Sequence, residues 1–425
     1  LSDLSPAEVQ LRALSVQESE AAFGTPNGPP VAAPKPPPDP NTVTITLGTM
    51  QLSGWLNVRV TRGIERFPAD FDLIATELYP GSLTSIDVIP GTPCVLSLGS
   101  DAVLTGYVDT YAPALTKQQH EVHIGGRSTC EDLVDCSCLL QTVQFNNPTL
   151  GGLATKLCQP FGVTVSLPDG DTGVLPQFNI IVTETPYEVI ERAARAYARL
   201  VYDDTGGNLV LASVGDNAMA SGFTEGINVQ AVTGTFTTQD RMTSIAAITQ
   251  TTSVLTNDTS TLPLPYVGVP FATDATLPAR ADGNPRYRPL LILAEPDLLA
   301  QNLIEQRIQW EMARRVGRSQ AVTVVCDSWR DSNGTLWTPN WLAPVSLPSA
   351  KVQATWLITE VSFLRDEQGT RAEVTLMPPE AFAVEPAVLQ QFFWQIGQSA
   401  QPSGTGTSNA APLPFGGGNS PQGTS

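Results

Sequence analysis

The sequence is short of the residues on which catalysis and metal binding are usually built. Two histidines in 425 residues, His120 and His123, leave no Ser-His-Asp combination to point to. Neither a Gly-Lys-Ser/Thr phosphate loop nor a dinucleotide glycine fingerprint occurs. No carboxylate pair stands out for glycoside hydrolysis. The six cysteines (Cys94, Cys130, Cys136, Cys138, Cys158, Cys326) lack the dense spacing of a secreted disulfide framework. Several sit inside apolar patterns, so they read as buried free thiols. No apolar run approaches the roughly 20 residues that span a bilayer, and no charged-then-apolar signal opens the chain, so stable membrane insertion is not expected. The first residue is Leu1 instead of Met, which suggests trimming at the start.

Charge is also sparse: 15% of residues are charged, with a formal balance of −18. A surface of that sign does not neutralise phosphates, so specific nucleic-acid binding is not expected. Acidity serves solubility, and it also suits a passage along which DNA slides without sticking. Glycine (34) and proline (36) are plentiful, which favours short strands and many turns. At about 150 residues per domain, the length suggests roughly three domains.

What the chain does have is alternation. Leu56, Val58 and Val60 alternate with Asn57, Arg59 and Thr61, and Phe71, Leu73 and Ala75 repeat the pattern. Period two marks half-buried strands. Pro90-Gly91 and Gly99-Ser100 mark turns, and the second joins CVLSL to AVLTGYVD as a hairpin. His120, His123, Cys130, Cys136 and Cys138 fall within nineteen residues. The two histidines lie three apart on a strand and point to opposite faces, so no zinc site is expected. Pro168 to Gly173 lacks the carboxylates of a calcium loop and reads as a turn.

Helices are fewer. Ser5-Pro6-Ala7-Glu8 forms a capping box ahead of helix formers up to about Ala22, and a Pro-rich spacer follows from Thr25 to Pro40. Thr185-Pro186-Tyr187-Glu188 repeats the box, placing Ile190, Ala194 and Tyr197 on one face and Arg192, Arg195 and Arg199 on the opposite one, either solvated with Glu188 and Glu191 as partners or in contact with an acidic neighbour. A helix is expected over 296–316, with Gly317 as its stop. Near the end, Leu389, Phe392, Phe393 and Ile396 share a helical face beside Trp394.

These blocks resemble, in order, the baseplate hub family of Mu-like contractile-tailed phages. The first half carries the likeness in Arg59, Ile64, Glu65, Phe71 and Glu77, in Pro90-Gly91, Val95, Gly99, Thr105-Gly106-Tyr107 and Asp109, and in Gly126-Arg127 with Asp132 to Ser137, where Cys136 looks like a core thiol. The second half carries it in a helix, Gly-Arg-Ser, Trp-Arg, Gly-x-Leu-Trp-x-Pro-Asn and Leu-Ile-x-x-Val-x-Phe, out to Phe382.

The expected fold is mainly β with α+β, comprising two β-barrel-like domains, a small α/β module and extended terminal arms. Boundaries are expected at 1–41 (arm), 42–135 (first barrel), 136–216 (module), 217–380 (second barrel, with a loop at 251–290) and 381–425 (tail). The resemblance implies a non-enzymatic structural hub without cofactor or metal, found in the tail baseplate of a virion and assembled in the host cytoplasm. It further implies a homotrimer between a tail tube protein and a central spike, with DNA passing through its channel unbound. The hub of a phage-derived contractile secretion or bacteriocin device, or a cell-wall-binding or cell-wall-degrading tail component, is the alternative. Val9, Leu11, Leu14, Leu389, Phe392, Phe393 and Trp394 are the candidates for contacts of the terminal arms with wedge or other baseplate proteins.

At roughly 3.1 Å per residue in polyproline II form, the spacer reaches on the order of 50 Å, which lets the first helix dock beyond its own barrel. Deleting residues 1–40 is therefore expected to leave melting temperature and oligomer size unchanged while lowering the yield of assembled baseplates. Loss of folding would instead place the arm inside a core.

Overall fold

The computed structural model describes residues 39–76, 88–116, 120–140, 143–174, 177–197, 199–215, 217–249, 271–294 and 301–382. Val9, Leu11, Leu14, Leu389, Phe392, Phe393 and Trp394 lie outside the described residues, as do the first helix and the spacer up to residue 38.

The first block consists of β1 (Val43–Leu47), β2 (Met50–Leu52), β3 (Asn57–Gly63), β4 (Asp70–Thr76), β5 (Pro93–Leu98), β6 (Asp101–Leu115) and β7 (His120–Ser128). A mixed module follows, with β8 (Gln144–Asn146), α1 (Leu150–Cys158), β9 (Val165–Ser166), β10 (Gln177–Asn179), α2 (Pro186–Ala196), β11 (Leu200–Asp203) and β12 (Leu209–Ala212). The last part holds β13 (Phe223–Thr224), β14 (Val229–Phe236), β15 (Ser244–Thr249), β16 (Phe271–Thr273), β17 (Pro289–Ala294), α3 (Gln301–Arg318), β18 (Gln320–Cys326), β19 (Leu342–Leu347), β20 (Val352–Asp366) and β21 (Gly369–Met377). Part of the stretch expected as a loop is thus sheet: β16 and β17 flank β15.

The two β blocks share one 13-stranded sheet, in the order β14-β18-β21-β20-β3-β4-β7-β6-β5-β1-β2, with β19 and β13 branching from β20. The seam is the antiparallel pair β3–β20, running from Gly63 opposite Glu360 to Val58 opposite Arg365. Among the described residues no pairing returns the sheet on itself.

Alternation decides which face is dry. Val58, Val60, Phe71, Leu73, Val122 and Ile124 from the first block meet Val322, Val324, Val361, Phe363 and Val374 from the second in one continuous core. Leu56, at the edge of the predicted pattern, is half exposed. Fully burying an aliphatic or aromatic side chain contributes roughly 1.5–3 kcal/mol, so a core this large fixes the register: a one-residue slip would turn every one of these side chains to water. Gly126 is required here, because a Cβ would stand 2.7 Å from the Phe71 ring.

The module has its own core, built from Leu153, Leu157, Phe178, Val189, Ile190 and Leu211. Its helix α2 starts on the expected capping box: Glu188 N–H donates to Thr185 Oγ1 at 3.2 Å, and Thr185 N–H donates to Glu188 Oε2 at 2.9 Å. The arginine face is not uniformly solvated. Arg192 is buried, donating to Glu184 and to the Asn179 carbonyl with its guanidinium 4.3 Å from the Phe178 ring centre. Arg195 pairs with Glu191, and Arg199 with Asp169. Cys136 is exposed, because the helical turn Asp132–Asp135 ends just before it and the chain leaves the core. Helix α3 runs through Gly317, which serves a close approach and not a stop: a Cβ there would lie 1.9 Å from that of Ala381.

Two polar nodes fasten the module to the sheet. In the first, Ala69 N–H donates to Asp203 Oδ2 at 3.0 Å, and Arg62 Nη2 donates to the Asp203 carbonyl at 3.3 Å. Burial pushes the Asp203 carboxyl up and the Arg62 guanidinium down from their ordinary values. In the second, Arg127 on β7 reaches Asp109 at 2.6 Å and Asp135 at 2.8 Å, with Glu131 at 3.4 Å. Burial, followed by the neighbouring Asp109 charge, pushes Glu131 up to about 8. Its unfolded value is about 4.3, so between these values the folded chain binds a proton that the unfolded chain lacks, and stability falls as pH rises through that window. Glu131→Gln is expected to raise the melting temperature at pH 8.5 and leave it nearly unchanged at pH 5. Equal melting curves for variant and parent at both pH values would contradict this assignment.

Candidate functional surface

The face of the sheet turned away from the core spans eight strands and is mostly polar. At one level, successive cross-strand partners are Ala231, Val325, Glu373, Ser362, Thr61, Asp70, Arg127 and Tyr107, one from each strand between β14 and β6. A second row runs Arg371, Leu364, Arg59, Asp72, Gly125 and Thr110. Period-two geometry produces this face directly, since each residue between two core positions must point the other way.

Hydroxyls and ion pairs knit the face together. Thr61 and Ser362 share a hydrogen bond of 3.0 Å across the seam, and Thr323 and Thr375 share one of 3.3 Å. Arg59 lies 3.0 Å from Asp70 and 4.0 Å from Asp72. Arg66 lies 2.8 Å from Asp70 and 3.8 Å from Glu360. His123 meets Asp72 at 2.6 Å, and Arg371 pairs with Asp366. Burial raises the Glu360 carboxyl, with Arg66 opposing the shift. The guanidiniums of Arg59, Arg66, Arg127 and Arg371 are thus each held by a carboxylate of the same chain. Held this way, they present little free positive charge to a polyanion.

Both margins of the face are open. Among the described residues β14 pairs along its length with β18, its other side holding a single isolated bridge from Val229 to Glu225, and past Val108 no strand joins β6 on the side opposite β7. Strand β14 reads VQAVTGTF, without charge or proline, so it lacks the residues that usually blunt an edge. On the other margin, Pro113 withdraws one donor.

The polar positions were legible as the off-beat of each strand, but their assembly into one surface was not. Thr61 and Ser362 are 301 residues apart, and nothing local to either names the other. The cysteine and histidine cluster does not converge: Cys130 is buried against the Gly207 carbonyl, whereas His123 lies on the polar face with Asp72.

Comparison with known proteins agrees with this architecture. Residues 42–128 match the N-terminal domain described for Mu phage baseplate assembly protein GpP-like proteins. Residues 130–213 match the second domain of baseplate hub protein gp44-like proteins, and residues 300–385 the fourth domain of Mu phage baseplate assembly protein GpP. The baseplate hub protein gp44 of Escherichia phage Mu is 29% identical over 352 residues, covering 81% of this chain and 89% of that protein. Among solved structures, the 43 kDa tail protein of prophage MuSo2 from Shewanella oneidensis superposes with a TM-score of 0.69 at 27% identity, over 81% of this chain and 100% of that one. A tail protein from Neisseria meningitidis MC58 shares the fold, with a TM-score of 0.66 at 16% identity over 81% and 98% of the two chains. The mainly β fold, the order of the three matched domains and the relative spanning most of the chain agree: the chain is a homologue of the Mu phage baseplate hub protein and a component of the virion tail.

Proposed function

We propose that the chain is a non-enzymatic structural subunit, three copies of which close their sheets into a ring between tail tube and central spike. The observation that carries this reading is the eight-stranded polar face bounded by two open edges. A sheet that ends in an unblunted strand invites another strand, and head-to-tail repetition around a closed ring leaves no edge unpaired. Three copies supply about 24 strands. At about 4.8 Å between strands and a tilt near 40°, they enclose a backbone diameter of about 50 Å, comparable to a double helix with clearance.

The chemistry of the face suits a passage. Phosphate binding needs free cations, and here the arginines are committed to Asp70, Asp109, Asp135 and Asp366, while Glu373 adds negative charge. DNA would therefore pass without being held. The terminal arms, through the residues named above, would reach wedge or other baseplate proteins.

Light scattering of the purified chain is expected to return three times the monomer mass of 45.2 kDa. Hydrogen exchange should show the amides of Val229–Phe236 and of 109–112 gaining protection as the oligomer forms. A chain that stays monomeric at micromolar concentration, alone and with tube or spike protein added, would defeat the reading.

A further inference from the structure

The module exposes aliphatic surface that the sheet does not explain. Cys138 N–H donates to the Glu184 carbonyl at 2.9 Å and Ile180 N–H to the Val143 carbonyl at 2.8 Å, which ties Cys138 and Val143 to the turn at 180–184 as one strap. On it Leu139 is 95% exposed, Val182 78% and Ile181 62%. Several large aliphatics exposed together on one small element mark an interaction site. The rim is acidic: Asp132 and Glu188 form no ion pair among the described residues, and no Lys or Arg occurs in 136–143 or 180–185.

A surface of opposite character lies in the second β block. The loop from Arg280 to Arg288 carries Arg280, Arg286 and Arg288 against a single acid, Asp282, and presents Tyr287 at 67% exposure. Arg288 is tied to the Gln239 carbonyl, three residues beyond the end of β14. Phe236, the last residue of β14, pairs with Gln320, just past Arg318 of α3. Arg318 reaches Glu65 beyond the end of β3, and it is at this end of the sheet that β7 leads into the module. The basic loop and the acidic strap therefore both lie toward this end of the sheet, the loop beyond β14 and the strap beyond β7.

We propose that the Arg280–Arg288 loop of one copy seats on the Leu139, Ile181 and Val182 strap of the next. This rests on the ring reading above, which brings the β14 margin of one copy beside the β6 margin of its neighbour. The partner is thus a second copy of this chain, selected by charge: arginines and a tyrosine, the residue types most often found at binding hot spots, meet aliphatics ringed by carboxylates.

The test compares full-length variants by sedimentation velocity over a concentration series. Ile181→Glu/Val182→Glu alters only exposed side chains, so its melting temperature should match the parent while its association weakens at least tenfold. Ring formation at the parent's concentration would overturn the proposal. In a second arm, Arg280→Glu/Arg286→Glu should weaken the ring at least tenfold, and adding Asp132→Arg/Glu188→Arg to the same chain should restore it. Failure of the four-substitution chain to recover would also overturn the proposal. The two readings fail separately: a parental ring with protected β14 amides and an unaffected strap variant sinks this contact alone, whereas a monomeric parent sinks the ring and the contact with it.

Discussion

The antiparallel pairing of β3 with β20 is the constraint on which the rest depends. It joins residues 58–63 to residues 360–365 in one hydrogen-bonded ladder, and with that ladder the dry faces of both blocks become one core. Their wet faces become one surface in the same step. Without it, each half would carry an unpaired inner edge and a polar face only about four strands wide. The module then has a fixed support on which Asp203 and Arg127 can fasten it.

Much of this was readable in advance, for physical reasons that apply residue by residue. Val58, Val60, Phe71 and Leu73 alternate with polar neighbours, and period two is a backbone property that needs no distant partner. The Thr185–Glu188 capping box is likewise complete within four residues, and it forms as expected. The seam was not readable, because strand pairing across 301 residues leaves no local mark on Thr61 or Ser362. The setting of Arg192 was not readable for a related reason: its partner Glu184 precedes the helix, so helical spacing alone does not choose between water and an acidic neighbour. Cys136 sits in a stretch that resembles the family, yet resemblance specifies a position in the chain and not its burial.

Charge is distributed so that one property serves two ends. Ion pairs within the polar face hold its arginines inward, and partly exposed pairs of this kind add little stability, with medians of about 0–1 kcal/mol. Their value lies in what they withhold from solvent. Arg59 and Arg66 both converge on Asp70, leaving the face structured, hydrated and poor in free cations.

The central claim is that the face carrying Glu373, Ser362, Asp70 and Asp72 lines the lumen of a closed ring. A reconstruction of the assembled oligomer at side-chain resolution tests it most directly. The account predicts these four residues on the inner wall, with β14 of each copy hydrogen-bonded to the next. Finding them on the outer surface, or finding the ring closed through other elements with β14 unpaired, would contradict it.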